Sequence, residues 1–168
     1  VKELCHLKNA ELEEKYRKYK GRSVFEGDWI IDQEGFLAVF TDQGASATTM
    51  ASTKFLDAIV RMPGMAGEDV DAEGAYTQMK FKDAERLLGK DTIPETWVTL
   101  PEHRQPDEWK GKYSDPVVPL LVNLYGHPLA GLLWEKGCEE RLLKLGFKHI
   151  KNWENMYVHK EKQLFLSV

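Results

Sequence analysis

Cysteine is nearly absent. The 168 residues hold only Cys5 and Cys138, far apart and in no CxxC or Cys/His spacing, so neither a disulfide framework nor a structural zinc site is expected. No run of about 18 apolar residues occurs, and the first twenty residues are charged rather than built like a signal peptide. The expectation is therefore an intracellular protein, cytoplasmic or nuclear, without a membrane partner. Repeats and low-complexity stretches are missing, as are GxSxG and any Cys/His pair suited to covalent catalysis. A basic excess is also lacking. The net charge of −4 argues against a free-standing nucleic-acid binder, because phosphate contacts need clustered Lys and Arg. The distribution softens this: residues 1–22 hold seven Lys and Arg against four Glu. Such an arm is either a solvated helix face or a surface turned toward phosphates.

What is present can build a core. Hydrophobic residues make up 42% of the chain and are spread along it, as one domain, in one or two lobes, requires. Residues 7–19 combine helix formers with Glu preceding Lys and Arg at helical spacing, which predicts a charged helix ending before Gly21. The runs Ser23-Val-Phe25 and Phe36-Leu-Ala-Val-Phe40 flank a turn-rich stretch and predict a hairpin. From Ser46 to Met62 the apolar period is helical, and Pro63-Gly64 stops it. Strands are predicted over Val70–Tyr76, Trp97–Leu100 and 117–126. A long helix follows with Ala130, Trp134, Cys138, Leu142 and Leu145 on one stripe, capped by Gly146. The tail reads as two strands, Asn155–Val158 and Gln163–Val168, around a charged turn. A chain stopping inside an apolar strand leads to the expectation that sequence continues beyond Val168.

The chemistry-bearing residues begin at Glu68-Asp69-Val70-Asp71. On a strand Asp69 and Asp71 would share a face, and paired carboxylates can hold a divalent ion; a solvated acidic turn is the competing reading. Asp71-Ala-Glu-Gly-Ala-Tyr76 resembles the first catalytic motif of copia-type retrotransposon reverse transcriptases, which show an Asp-Val-Lys-Gly-Ala-Tyr-like version. Leu124-Tyr-Gly-His-Pro-Leu-Ala-Gly-Leu-Leu-Trp134 is similar to that family's Leu-Tyr-Gly-Leu-Lys-Gln-Ala-Pro-Arg-x-Trp segment, and the helix after it ends in Gly-Phe in both. Tyr19-Lys-Gly-Arg-Ser-Val24 looks like the fingers strand Tyr-Lys-Ala-Arg-Leu-Val. The three matches occur in the family's order and cover most of residues 15–168.

The resemblance implies an α+β fold: reverse-transcriptase fingers and a partial palm, with an antiparallel sheet flanked by helices. Residues 1–65 would be a fingers-like lobe and residues 66–168 a palm interrupted before Tyr-Val-Asp-Asp. It implies template-directed DNA synthesis with two Mg²⁺ ions. Asp71 would be the catalytic metal ligand, and the Ala72 carbonyl would coordinate metal as well. Tyr76 would lie under the incoming sugar and exclude a 2′-hydroxyl. Gly126 would let nucleotide and template approach the backbone, and Arg22, helped by Lys20, would meet the triphosphate. The implied partners are an RNA/DNA template-primer, deoxynucleoside triphosphates and the remainder of the polyprotein, with thumb and ribonuclease H. Two of the three metal carboxylates belong to Tyr-Val-Asp-Asp, which this sequence lacks. Where the family has Lys-Gln-Ala-Pro-Arg, this chain has Pro128-Leu-Ala-Gly-Leu132, so polar groups that would face substrate and template are missing.

Two other functions compete. A glycosyltransferase could use Asp69-Val70-Asp71 to hold a metal–nucleotide sugar, although this accounts for the tripeptide alone. A degenerate element copy could persist as a nucleic-acid-binding or interaction module, which the altered residues 128–132 favour. His127, next to Gly126, is read either as a substrate contact or as a loop residue. Trp134 belongs to the helix stripe and reads as core rather than as a base-stacking platform.

Overall fold

The computed structural model describes residues 1–40, 48–89 and 95–168. The chain opens with an antiparallel ribbon, β1 (Lys2–Lys8) and β2 (Lys18–Val24), in a register that sets Leu4 opposite Arg22 and His6 opposite Lys20. The helix expected over 7–19 does not form. Asn9 turns the chain at φ 59°, a left-handed position that Asn tolerates. Its side-chain amide donates to the Tyr16 carbonyl at 3.1 Å, and Arg17 Nε donates to the Leu12 carbonyl at 2.8 Å. Helical Glu–Lys pairs contribute only about 0.2–0.5 kcal/mol each, so a seven-pair ladder closed by these turn bonds prevails.

The hairpin expected from Ser23–Phe25 and Phe36–Phe40 does not form either. Ser23 and Val24 complete β2 and pair with β1, while the Phe36–Phe40 run retains only an isolated bridge between Ile31 and Leu37. Its turn is built by Asp32, whose carboxylate accepts the N–H groups of Glu34 and Phe36 at 3.0 and 2.8 Å.

Helix α1 (Met50–Val60) lies within the predicted span; its residues 46–47 fall outside the described residues. The Thr49 hydroxyl caps it by accepting the Ser52 N–H at 3.2 Å. It meets the C-terminal sheet through Phe55, whose ring lies 5.2 Å from Trp153 and 6.5 Å from Phe165. The strand expected over Val70–Tyr76 is absent. Residues 65–72 form neither helix nor strand, and Val70 is 87% exposed. No neighbouring strand among the described residues supplies the hydrogen-bond ladder that a strand needs. Short 3₁₀ turns at Tyr76–Gln78 and Phe81–Asp83 lead into α2 (Ala84–Leu88), closed by Gly89 at φ 64°.

Strand β3 (Trp97–Thr99) pairs antiparallel with β4 (Val117–Pro119). The strand predicted over 117–126 therefore stops at Pro119, after which the backbone passes its bonds among three segments. Leu120 N–H donates to Thr96, Asn123 N–H to Met79, and the Tyr125 carbonyl accepts from Phe25. Helix α3 (Ala130–Lys144) follows. Its buried residues are Ala130, which the predicted stripe includes, with Leu133 and Gly137, each one residue before the predicted Trp134 and Cys138, and Leu145 is 63% exposed. Gly137 explains the offset, since a Cβ there would collide with the buried Met79 side chain. Gly146, at φ 93°, closes the helix as expected, with Phe147 N–H reaching back to Leu142.

Strands β5 (Lys148–His149), β6 (Met156–His159) and β7 (Leu164–Ser167) form an antiparallel sheet in that order. The β6–β7 hairpin matches the sequence reading. The fold is thus α+β, but among the described residues its antiparallel pairing is split among three small sheets rather than gathered in one. Ala84, Leu129 and Leu133 form a core beneath Phe40, Phe81, Leu87 and Leu88, while Met156 and Tyr157 are buried on β6. Among the described residues of the 1–65 segment only Phe25 and Ser52 are buried, and Phe25 packs against His127.

Candidate functional site

Strand β2 places Lys20 and Arg22 on one face, two residues apart and exposed. The chain then runs directly into the loop before α3: Val24 bridges Tyr125 in parallel, and Phe25 N–H donates to the Tyr125 carbonyl at 2.7 Å. Two glycines permit this approach. A Cβ on Gly126, which sits at φ 93°, would fall on the Phe25 carbonyl, and one on Gly27 would fall on the Gly126 carbonyl.

Backbone docking brings side chains together. The Arg22 guanidinium carbon lies 5.9 Å from the Tyr125 ring centroid, and the Tyr76 ring lies 4.5 Å from it at an interplanar angle of 38°. Arg22, Tyr76 and Gly126 are separated by about fifty residues at each step in sequence, and they meet around Tyr125. Tyr125 was not singled out from sequence, although its place in Leu124-Tyr-Gly126 was available as a signal. Lys20 stands opposite His6, outside this ring cluster.

Tyr76 is seated by a tight turn. Ala72 accepts the Ala75 N–H at 3.1 Å, Thr77 Oγ1 donates to the Gly74 carbonyl at 2.8 Å, and Gln78 Nε2 donates to the Glu73 carbonyl at 2.9 Å. Arg141 on α3 holds Gln78 by a 2.9 Å bond to its Oε1. Asp69 and Asp71 are both exposed just before this turn. Since they lie on no strand, the argument that puts both carboxylates on one face does not apply. Asp71 and the Ala72 carbonyl, which keeps a free lone pair, are hard oxygen donors of the kind Mg²⁺ takes, so they suit one side of a magnesium site. Among the described residues no three His, Cys, Asp or Glu side chains converge.

His127 lies in the loop before α3, yet it is only 4% exposed and so belongs to the interior rather than to a solvated turn. Phe25 and Phe81 lie 4.9 and 4.7 Å from its ring, and burial pushes its imidazole down to about 4. The departing segment is also part of the interior. Leu129 and Ala130 are buried, and the Ala130 carbonyl accepts the Asn123 side-chain amide at 3.0 Å. Trp134 is half-buried. Cys5 is exposed and Cys138 half-buried, both as free thiols.

Beside Arg22 opens a recess of about 330 Å³ lined also by Glu3, Cys5, Ser23 and Arg104. The Glu3 carboxylate is held by His103 Nε2 at 2.7 Å and Arg104 Nε at 2.9 Å. Those bonds hold its carboxyl below the ordinary range, and they fasten β1 to the 102–104 turn. Comparison with protein-family models, curated proteins and solved structures finds no match. No helix among the described residues is long and apolar enough to cross a membrane.

Proposed function

We propose that this chain is the fingers and front palm of a copia-type reverse transcriptase, and that the face around Tyr125 receives the incoming nucleotide. The supporting observation is the meeting of Arg22, Tyr76 and Gly126 around one ring. The resemblance assigns these three residues to triphosphate, sugar and backbone contact, and their separation in sequence makes a chance meeting a poor explanation. Arg22, with Lys20 behind it on β2, would draw in phosphate oxygens through charge-assisted hydrogen bonds. Tyr76, pinned by the 72–78 turn, would present its ring to the sugar. Asp71 and the Ala72 carbonyl would hold one side of the Mg²⁺ site. The metal, once bound, supplies charge neutralisation at the phosphates and activation of a primer hydroxyl.

A second reading is favoured by one observation: Leu129, which stands where the family segment has a Gln, is buried in the core. A degenerate copy kept as a nucleic-acid-binding or interaction module would have this character. Primer extension separates the two. The 168-residue chain, lacking Tyr-Val-Asp-Asp, is expected not to extend a primer. Joined to a family palm segment carrying that motif, it should incorporate deoxynucleotides on an RNA template, and Asp71→Asn should abolish this. Incorporation unaffected by Asp71→Asn contradicts the polymerase reading, and no incorporation by the joined chain favours the degenerate copy.

A further inference from the structure

The three segments that form the ring cluster also meet at a second point, the buried imidazole of His127. Its centroid lies 4.9 Å from Phe25, 6.0 Å from Phe40 and 4.7 Å from Phe81. Nδ1 accepts the Leu129 N–H at 3.1 Å. In the neutral ring this leaves the proton on Nε2, which donates to Thr96 Oγ1 at 3.2 Å. Phe25 closes the strand end that carries Arg22, Phe81 follows the turn that seats Tyr76, and His127 itself follows Tyr125 and Gly126. Each member of the cluster therefore lies within about five residues of a group packed on this imidazole, or of the imidazole itself.

A second proton would disrupt the arrangement in two ways. Nδ1–H would face the Leu129 N–H, donor against donor, and a charge would sit among aromatic side chains. Phe25, Phe40, Phe81 and Thr96, which surround the ring, carry no charge to compensate. On the packed segments the charged groups nearest in sequence are Glu26 beside Phe25, Asp42 two residues after Phe40, Lys80, Lys82 and Asp83 around Phe81, and Glu95 beside Thr96. Burial alone accounts for the imidazole's lowered proton affinity. We propose that His127 is a positioning residue whose neutral form latches β2 and the Tyr76 turn onto the Tyr125–Gly126 turn, so that acid opens the Arg22–Tyr125–Tyr76 cluster locally before the fold is lost. This holds whatever the cluster binds and does not rest on the polymerase reading.

Two-dimensional NMR of the 168-residue chain between pH 7.5 and 3.5, followed alongside far-ultraviolet circular dichroism, tests it. The His127 ring signals should titrate below pH 5. The ring–ring contact signals of Tyr76 and Tyr125 should disappear with the same midpoint while secondary structure persists. His127→Phe keeps a ring but cannot take a proton, and should show no such midpoint; His127→Gln, which can still accept the Leu129 N–H, serves as a second non-titrating variant. Titration of His127 near 6.5 would overturn the proposal. So would Tyr76 and Tyr125 signals that stay constant through its midpoint, the same transition in both variants, or loss of secondary structure at that midpoint.

Discussion

Gly27 and Gly126 lie at the join between β2 and the loop before α3, where neither has room for a side chain: a Cβ on Gly27 would fall on the Gly126 carbonyl, and one on Gly126 on the Phe25 carbonyl. This contact lets Phe25 N–H reach the Tyr125 carbonyl at 2.7 Å and places Arg22 over the Tyr125 ring. A pair of missing side chains thus determines the geometry of the candidate site.

Gly126→Ala should be among the most damaging single changes. Its φ of 93° is strained for any L-residue, and the added Cβ would strike the Phe25 carbonyl, which is backbone and cannot step aside. Strain of this kind costs about 1–3 kcal/mol before the clash is counted. Urea unfolding should show a loss of at least about 2 kcal/mol, whereas Gly111→Ala, with open space around it but a similarly positive φ, should lose less. Equal losses would mean that the close approach contributes nothing.

Stability should fall with acid in a window set by His127. The unfolded imidazole takes up a proton near 6.5 and the folded one only at about 4. Between these values the unfolded chain binds more protons, so stability present above pH 6.5 is lost as pH falls and the loss levels off below about 4. The slope is about 1.4 kcal/mol per pH unit at most. Glu3, Glu139 and Glu140, held below their ordinary 4.5, add their own losses only below that value. Denaturant midpoints for wild type and His127→Phe should diverge in pH dependence between 6.5 and 4.5, and parallel curves would remove His127 as the cause.

The edge strand β7 pairs on one side with β6 and shows Leu164 and Phe165 at 47% and 45% exposure. An apolar edge of this kind invites pairing with another chain. Sedimentation velocity should find association rising with concentration, and Leu164→Lys should suppress it. A wild-type chain that remains monomeric over the whole range would refute this.

Sequence reading found the elements whose signals are local. The Thr49-capped helix, the Gly146 stop and the β6–β7 hairpin each carry their own cap or turn chemistry. It failed where the deciding partner was distant. Residues 7–19 carry a helical charge pattern, yet Lys18–Val24 find a ladder on Lys2–Lys8. The α3 stripe was misplaced because the close approach of Gly137 to Met79 is invisible in a hydrophobic period. The burial of His127, a loop residue, is hidden for the same reason: its cage is assembled from residues 25, 40, 81 and 96. At the site, Arg22, Tyr76 and Gly126 were named from motifs, while Tyr125, the ring between them, became apparent only once the segments were docked.

The most direct measurement of the central claim is a residue-resolved NMR titration of the 168-residue chain with a deoxynucleoside triphosphate and Mg²⁺. Saturable shifts should concentrate on Arg22, Tyr76, Tyr125 and Gly126 at millimolar ligand, and Arg22→Ala should weaken binding about tenfold, as loss of one charge-assisted contact to phosphate implies. Shifts that gather elsewhere, or a titration that Arg22→Ala leaves unchanged, would contradict a nucleotide-receiving face around Tyr125.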